Sequence, residues 1–140
     1  MASKLQEIID EVVLLLTTID GIAEVTQFVK LPEEIGRPGV AVLIDELVNE
    51  TASDGEVERK PQLQLICIGS DPNSDGLTAH EVVSACNAKI FETENSRRLN
   101  GKVTATTMLG LKTVPPTMDK SWTAVLVTYQ LKFKSQESEI

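Results

Sequence analysis

One histidine, two cysteines and a few clustered carboxylates are the side chains of this 140-residue chain best suited to chemistry. His80 could act as base to a nucleophile, with Cys67, Cys86 or Ser84 as partner, because a thiol or hydroxyl attacks once a base has taken its proton. No Gly-x-Ser-x-Gly elbow accompanies them, and spacing alone brings none of them to the imidazole. His80 is therefore expected at the surface or in a helix cap. Two cysteines and one histidine fall short of four zinc ligands and of a disulfide framework, so Cys67 and Cys86 are expected as buried, reduced thiols. The stretch Asp71-Pro72-Asn73-Ser74-Asp75-Gly76 matches the opening of a calcium loop, with oxygen ligands at alternate positions and then a glycine. The match then fails. The twelfth position, which should hold a bidentate glutamate, is Val82, and Glu81 falls one place early. Asp, Asn, Pro, Ser and Gly also build ordinary strand-to-helix turns. Asp45 and Glu46 are neighbours in an apolar run, and on a strand they point to opposite faces, a poor geometry for shared acid-base work. The glycines form neither GxGxxG nor GxxxxGK[ST], so no phosphate cradle is expected. We expect no catalytic residue, no cofactor and no metal.

The elements around these residues follow from periodicity. Ser3 suits an N-cap, and Leu5, Ile8, Ile9, Val12, Val13, Leu16 and Ile19 recur at helical spacing up to Asp20-Gly21. Val25 to Lys30 alternates as a strand and stops before Pro32. Residues 40–69 read as a long hairpin whose arms are the run 40–48 and QLQLICIGS, joined by the polar NETASDGEVERKP with its Ser-Asp-Gly turn. Residues 49–61 are expected to be mobile in the free protein and to become ordered against a neighbouring ring or subunit. Thr78 with Glu81 forms a capping-box pattern and opens a second helix, from about Ala79 to about Thr93 or beyond, closed by Asn100-Gly101. VTATTMLGLKTV and residues 122–134 read as two closing strands, and SQESEI as a frayed tail. The order helix, strand, hairpin, helix, two strands implies a single α+β domain over 1–140. Its expected sheet is mixed or mostly antiparallel, carries the long hairpin, and has two helices packed on one face.

Composition narrows the classes of function. Hydrophobic residues are 41% and charged residues 24%, as in ordinary globular domains, while aromatics are only 4%, so the core must be aliphatic. The net charge of −8 argues against a basic nucleic-acid binder. Residues 1–70 hold 5 basic and 13 acidic side chains, and residues 71–140 hold 8 of each, so the whole excess lies in the first half. No apolar run approaches the roughly 20 residues of a spanning helix, and the start lacks a signal-peptide pattern, so a soluble, unexported protein is expected. Basic residues gather at Arg97, Arg98 and Lys102, and at Lys132 and Lys134. Such polarity suits head-to-tail pairing of the acidic half with the basic half of another copy.

The layout resembles the tail-terminator, or tail-completion, proteins of long-tailed bacteriophages. The residues that carry the resemblance are the opening helix KLQEIIDEVVLLLTTI, the strand EVTQFVK, the hairpin around NETASDGEVERKP, the helix HEVVSACNAKIFE and the closing strand TAVLVTYQLKFK. The resemblance implies a structural virion protein, not an enzyme. Such a protein forms a ring, a hexamer in this reading, at the head-proximal end of the tail, stops tube polymerisation and offers a docking surface to the neck. The implied partners are other copies of the chain, the tail tube protein and a head-tail connector or stopper, with assembly in the host cytoplasm and no membrane. DNA would pass through the lumen without specific binding, which an acidic, lysine-poor half favours because it neutralises few phosphates. Candidate ring and tube contacts are Asn49, Glu50, Asp54, Glu56, Glu58, Arg59 and Lys60 on the hairpin, with Arg97, Arg98 and Lys102. Another connector, stopper or minor tube component fits the same layout, and a small enzyme built around His80, Asp71 or Asp75 is the remaining alternative.

Overall fold

The computed structural model describes residues 4–27, 35–45, 49–51, 56–70, 76–114 and 123–136. In chain order its elements are α1 (Lys4–Thr17), β1 (Glu24–Gln27), β2 (Gly39–Asp45), β3 (Asn49–Thr51), β4 (Glu56–Arg59), β5 (Gln62–Ile68), α2 (Ala79–Ile90), α3 (Glu94–Arg97), β6 (Ala105–Val114) and β7 (Ala124–Gln136). The fold is α+β, as expected, with a mixed sheet. β1 pairs with β2 in parallel and every other pairing among the described strands is antiparallel.

α1 forms because its apolar residues fall on one stripe, and Ile8, Val12 and Leu16 are its buried positions. α2 opens with the capping box: the Glu81 amide donates to Thr78 Oγ1 at 3.2 Å, and the Thr78 amide to Glu81 Oε1 at 3.0 Å. The second helix stops earlier than its periodicity suggests. α2 ends at Ile90, and Thr93 starts α3 with a capping box of its own, closed by Ser96. A turn follows in which Leu99, Asn100 and Gly101 all have positive φ.

The long hairpin is present, with one step in register. β2 pairs with β5 from Gly39↔Ile68 to Asp45↔Gln62, and β3 pairs with β4 from Asn49↔Arg59. Three residues on one arm and two on the other separate these stretches. The hairpin tip, 52–55, falls outside the described residues. β7 runs along the other side of the second arm in one unbroken register, Ile68↔Ala124 through Gln62↔Gln130 to Arg59↔Phe133 and Glu56↔Gln136. Between these stretches the Leu131 amide donates to the Pro61 carbonyl at 2.9 Å. The described part of the 49–61 segment is built into the sheet through β4, and the tail, read as frayed, remains strand through Ser135 and Gln136.

One face of the sheet carries the core. Val40 and Val42 of β2, Leu63, Leu65 and Cys67 of β5, and Val125, Val127, Tyr129, Leu131 and Phe133 of β7 are buried against α1 and α2. A smaller cluster of Ile35, Ala41, Ile68 and Ala124 lies on the opposite face. Gly69 ends β5 in a close approach to α2, where a Cβ would stand 2.5 Å from the Ala79 nitrogen. Only glycine lets the helix start that near the sheet.

Candidate functional site

Among the described residues the structure brings Cys67 and Cys86 together but leaves His80 apart from both. His80 is exposed on the first turn of α2, whereas Cys67 and Cys86 are fully buried on β5 and α2. A hydrogen bond with Cys86, then burial, pushes the Cys67 thiol far above its ordinary range. A thiol held neutral in this way is a poor nucleophile. Ser84 is exposed, and Asp45 sits exposed at the end of β2. Glu46 and the run from Asp71 to Asp75 lie outside the described residues, so the calcium-loop reading finds no support or contradiction there.

The proposed hairpin contacts divide. Glu58 on β4 pairs with Lys132 on β7 at 2.7 Å and is four-fifths covered. Arg59 is only 6% exposed, opposite the buried Phe133 on β7. Lys60 is half-buried between β4 and β5. Asn49 and Glu50 lie on β3 and Glu56 on β4, while their side chains, and all of Asp54, fall outside the description.

The basic group lies at one lateral side of the sheet. The Arg97 guanidinium rests 5.1 Å from the centre of the Phe91 ring, which in turn tilts against Tyr129 at 6.1 Å. The Arg97 carbonyl accepts from Thr106 Oγ1 at 2.6 Å, which ties α3 to β6. Arg98 is exposed and pairs with Glu94 at 2.9 Å, and Lys102 lies in the turn that leads into β6.

Beyond this group β6 forms one edge of the sheet. Among the described residues it pairs with β7 alone, and the register steps at Leu109, a bulge. Residues 107–113 are exposed, and Met108 (37%), Leu109 (50%) and Leu111 (50%) give this edge an apolar character. Met108 and Leu111 pair with Tyr129 and Val127, so they face the helix layer at a point where the chain's own helices do not cover them. A shallow hollow of about 310 Å³ lies along the same edge toward the opposite face, lined by Leu109 to Lys112, Leu126 and Thr128.

The opposite edge has complementary features. β1 pairs only with β2 among the described residues, and between it and α1 runs a groove of about 590 Å³ lined by Asp10, Val13, Leu14, Val25, Thr26 and Gln27. Leu14 is 65% exposed on the rim. Asp10 holds the Gln6 amide at 2.9 Å and reaches Gln27 at 3.4 Å. Sequence reasoning missed both edges, although a signal existed. Leu14-Leu15-Leu16 cannot all face the core from one helix, and Met108-Leu109 with Leu111 breaks strict alternation. No protein-family model matches the chain, and no curated protein matches it.

Proposed function

We propose that this chain is a structural subunit of a closed homo-oligomeric ring, and that the ring is a terminator at the head-proximal end of a phage tail tube. The observation that carries the ring is the difference between the two lateral edges of the sheet. One presents an apolar strand near Arg97, Arg98 and Lys102; the other presents an apolar groove with Asp10. Unlike surfaces that fit each other produce head-to-tail contacts, and these close into rings when the rotation per copy allows it. The place of the ring in a tail rests on the resemblance of element order, which the helix-first α+β architecture with its long hairpin supports. The acidic excess of the first half supports passage of DNA without retention.

Electron microscopy of the purified protein at high concentration, and of tails assembled with it, tests the reading. Closed rings with a central opening, located at the head-proximal end of tubes, are the expected result. A single copy per tail, or an open filament, would overturn it.

A further inference from the structure

We propose that the contact between copies is made by residues 110–114 of β6, which add to the outer edge of β1 in the next copy and place Leu111 beneath that copy's α1. The inference rests on the ring reading and names the surfaces that would build it.

Three observations converge. The first is strand direction. β6 runs opposite to β7, β7 opposite to β5, β5 opposite to β2, and β1 along β2, so β6 and β1 run in opposite senses within one copy. Two copies set side by side in the same orientation therefore bring β6 of one antiparallel to β1 of the other, and the ladder continues across the boundary.

The second is level. Gln27, Val42, Leu65, Val127 and Leu111 lie opposite one another across the sheet, and so do Glu24, Gly39, Ile68, Ala124 and Val114. The segment of β6 after the Leu109 bulge thus stands at the height of the four residues of β1. Face matches as well as height. Val25 and Gln27 pair with Val40 and Val42 on the core side, and Leu111 and Met108 occupy that same side of β6. Continuing the sheet would slide Leu111 under the neighbouring α1, against Val13, Leu14 and Val25 of the groove, with Met108 on the same side one step further along, past Gln27. Among the described residues of its own copy nothing covers the exposed side of Leu111, and the groove beside α1 offers that cover at the other edge.

The third is charge. β6 has Lys112 as its one ionisable residue, on the face away from the helices, and on that same face β1 carries Glu24. Pairing β6 with β6 of a second copy would oppose like charges, which disfavours a two-fold dimer at this edge. Pairing β6 with β1 opposes unlike ones.

Cross-linking in the full-length protein decides the matter. The double variant Gln27→Cys with Leu111→Cys, treated with a short bis-maleimide that tolerates a slip of a residue or two, should give a ladder of multimers. Either single variant should give none, because the native thiols are buried. A dimer from Leu111→Cys alone would overturn the proposal in favour of β6 meeting β6. Absence of a ladder where microscopy shows closed rings would overturn the contact and leave the ring reading standing. A ladder accompanied by open filaments would support the contact and sink the closed ring. Leu111→Glu, with its circular dichroism and unfolding midpoint unchanged, should weaken self-association by about tenfold or more. Association unchanged in that folded variant would also count against the proposal.

Discussion

The Tyr129 hydroxyl donates to Asn87 Oδ1 at 3.1 Å, joining the central strand β7 to α2 through a side chain that is otherwise fully buried. Tyr129→Phe keeps the ring and removes this one bond. Its expected cost is about 1 kcal/mol, the usual net worth of such a bond. Urea unfolding should show a lower midpoint with an unchanged slope; an unchanged midpoint would mean that water already serves Asn87.

The same cluster sets an alkaline limit. Its bond with Cys86 and its burial raise the Cys67 thiol above the ordinary 9.0, and burial followed by the charges of Cys86 and Cys67 raises the Tyr129 phenol above the ordinary 10.0. Both groups keep their protons longer in the folded than in the unfolded chain. These two groups therefore leave stability unaffected well below pH 9; it then falls by up to about 1.4 kcal/mol per pH unit as pH passes 9.0 for Cys67 and by a further such slope as it passes 10.0 for Tyr129. Unfolding free energies measured from pH 8 to 10.5 check the slope, and Cys67→Ala should flatten its first part.

At Gly69 the end of β5 meets the start of α2 at close range. A methyl group there would meet the Ala79 nitrogen at 2.5 Å and the Thr78 carbonyl carbon at 3.0 Å, both backbone atoms that cannot rotate away. Gly69→Ala is expected to cost about 1 to 3 kcal/mol, as overpacking does. A calorimetric melting temperature equal to that of the parent would show that α2 shifts freely.

On the hairpin, tip and stem should separate. Shortening residues 52–55 to Asn-Gly, which leaves a three-residue loop between the paired Thr51 and Val57, is expected to leave circular dichroism and solubility intact while impairing assembly onto tubes. Glu58→Gln breaks the pair with Lys132, whose ammonium is half exposed, so its cost should stay below about 1 kcal/mol. Loss of folded protein from the tip replacement would make the tip part of the core.

Periodicity made most of the fold legible. The odd-numbered residues 125–133 are buried on β7 because strict alternation leaves one face for the core, and Ile8, Val12 and Leu16 follow from the helical stripe. What periodicity could not supply was pairing at a distance. Arg59 stands in a polar stretch of sequence, and its burial opposite Phe133 follows only from the pairing of β4 with β7. The break at Ile90 was equally hidden, because a second cap at Thr93 competes locally with continuation of an otherwise suitable helix. The edges escaped notice for a related reason. A sequence shows that Leu14 and Leu111 are apolar, but whether another element covers them is a property of topology.

The single register that β7 keeps with β5 and β4 has a mechanical meaning. The thirteen residues from Ala124 to Gln136, eleven of them in register with β5 or β4, span about 40 Å of strand. The bond from Leu131 to Pro61 carries that pairing through the point where the arm might otherwise bend. The stem is thus a beam clamped in the core and not an arm on a hinge. A push against its outer end would be delivered as torque on the whole sheet, down to Ile68 and Ala124 at the foot.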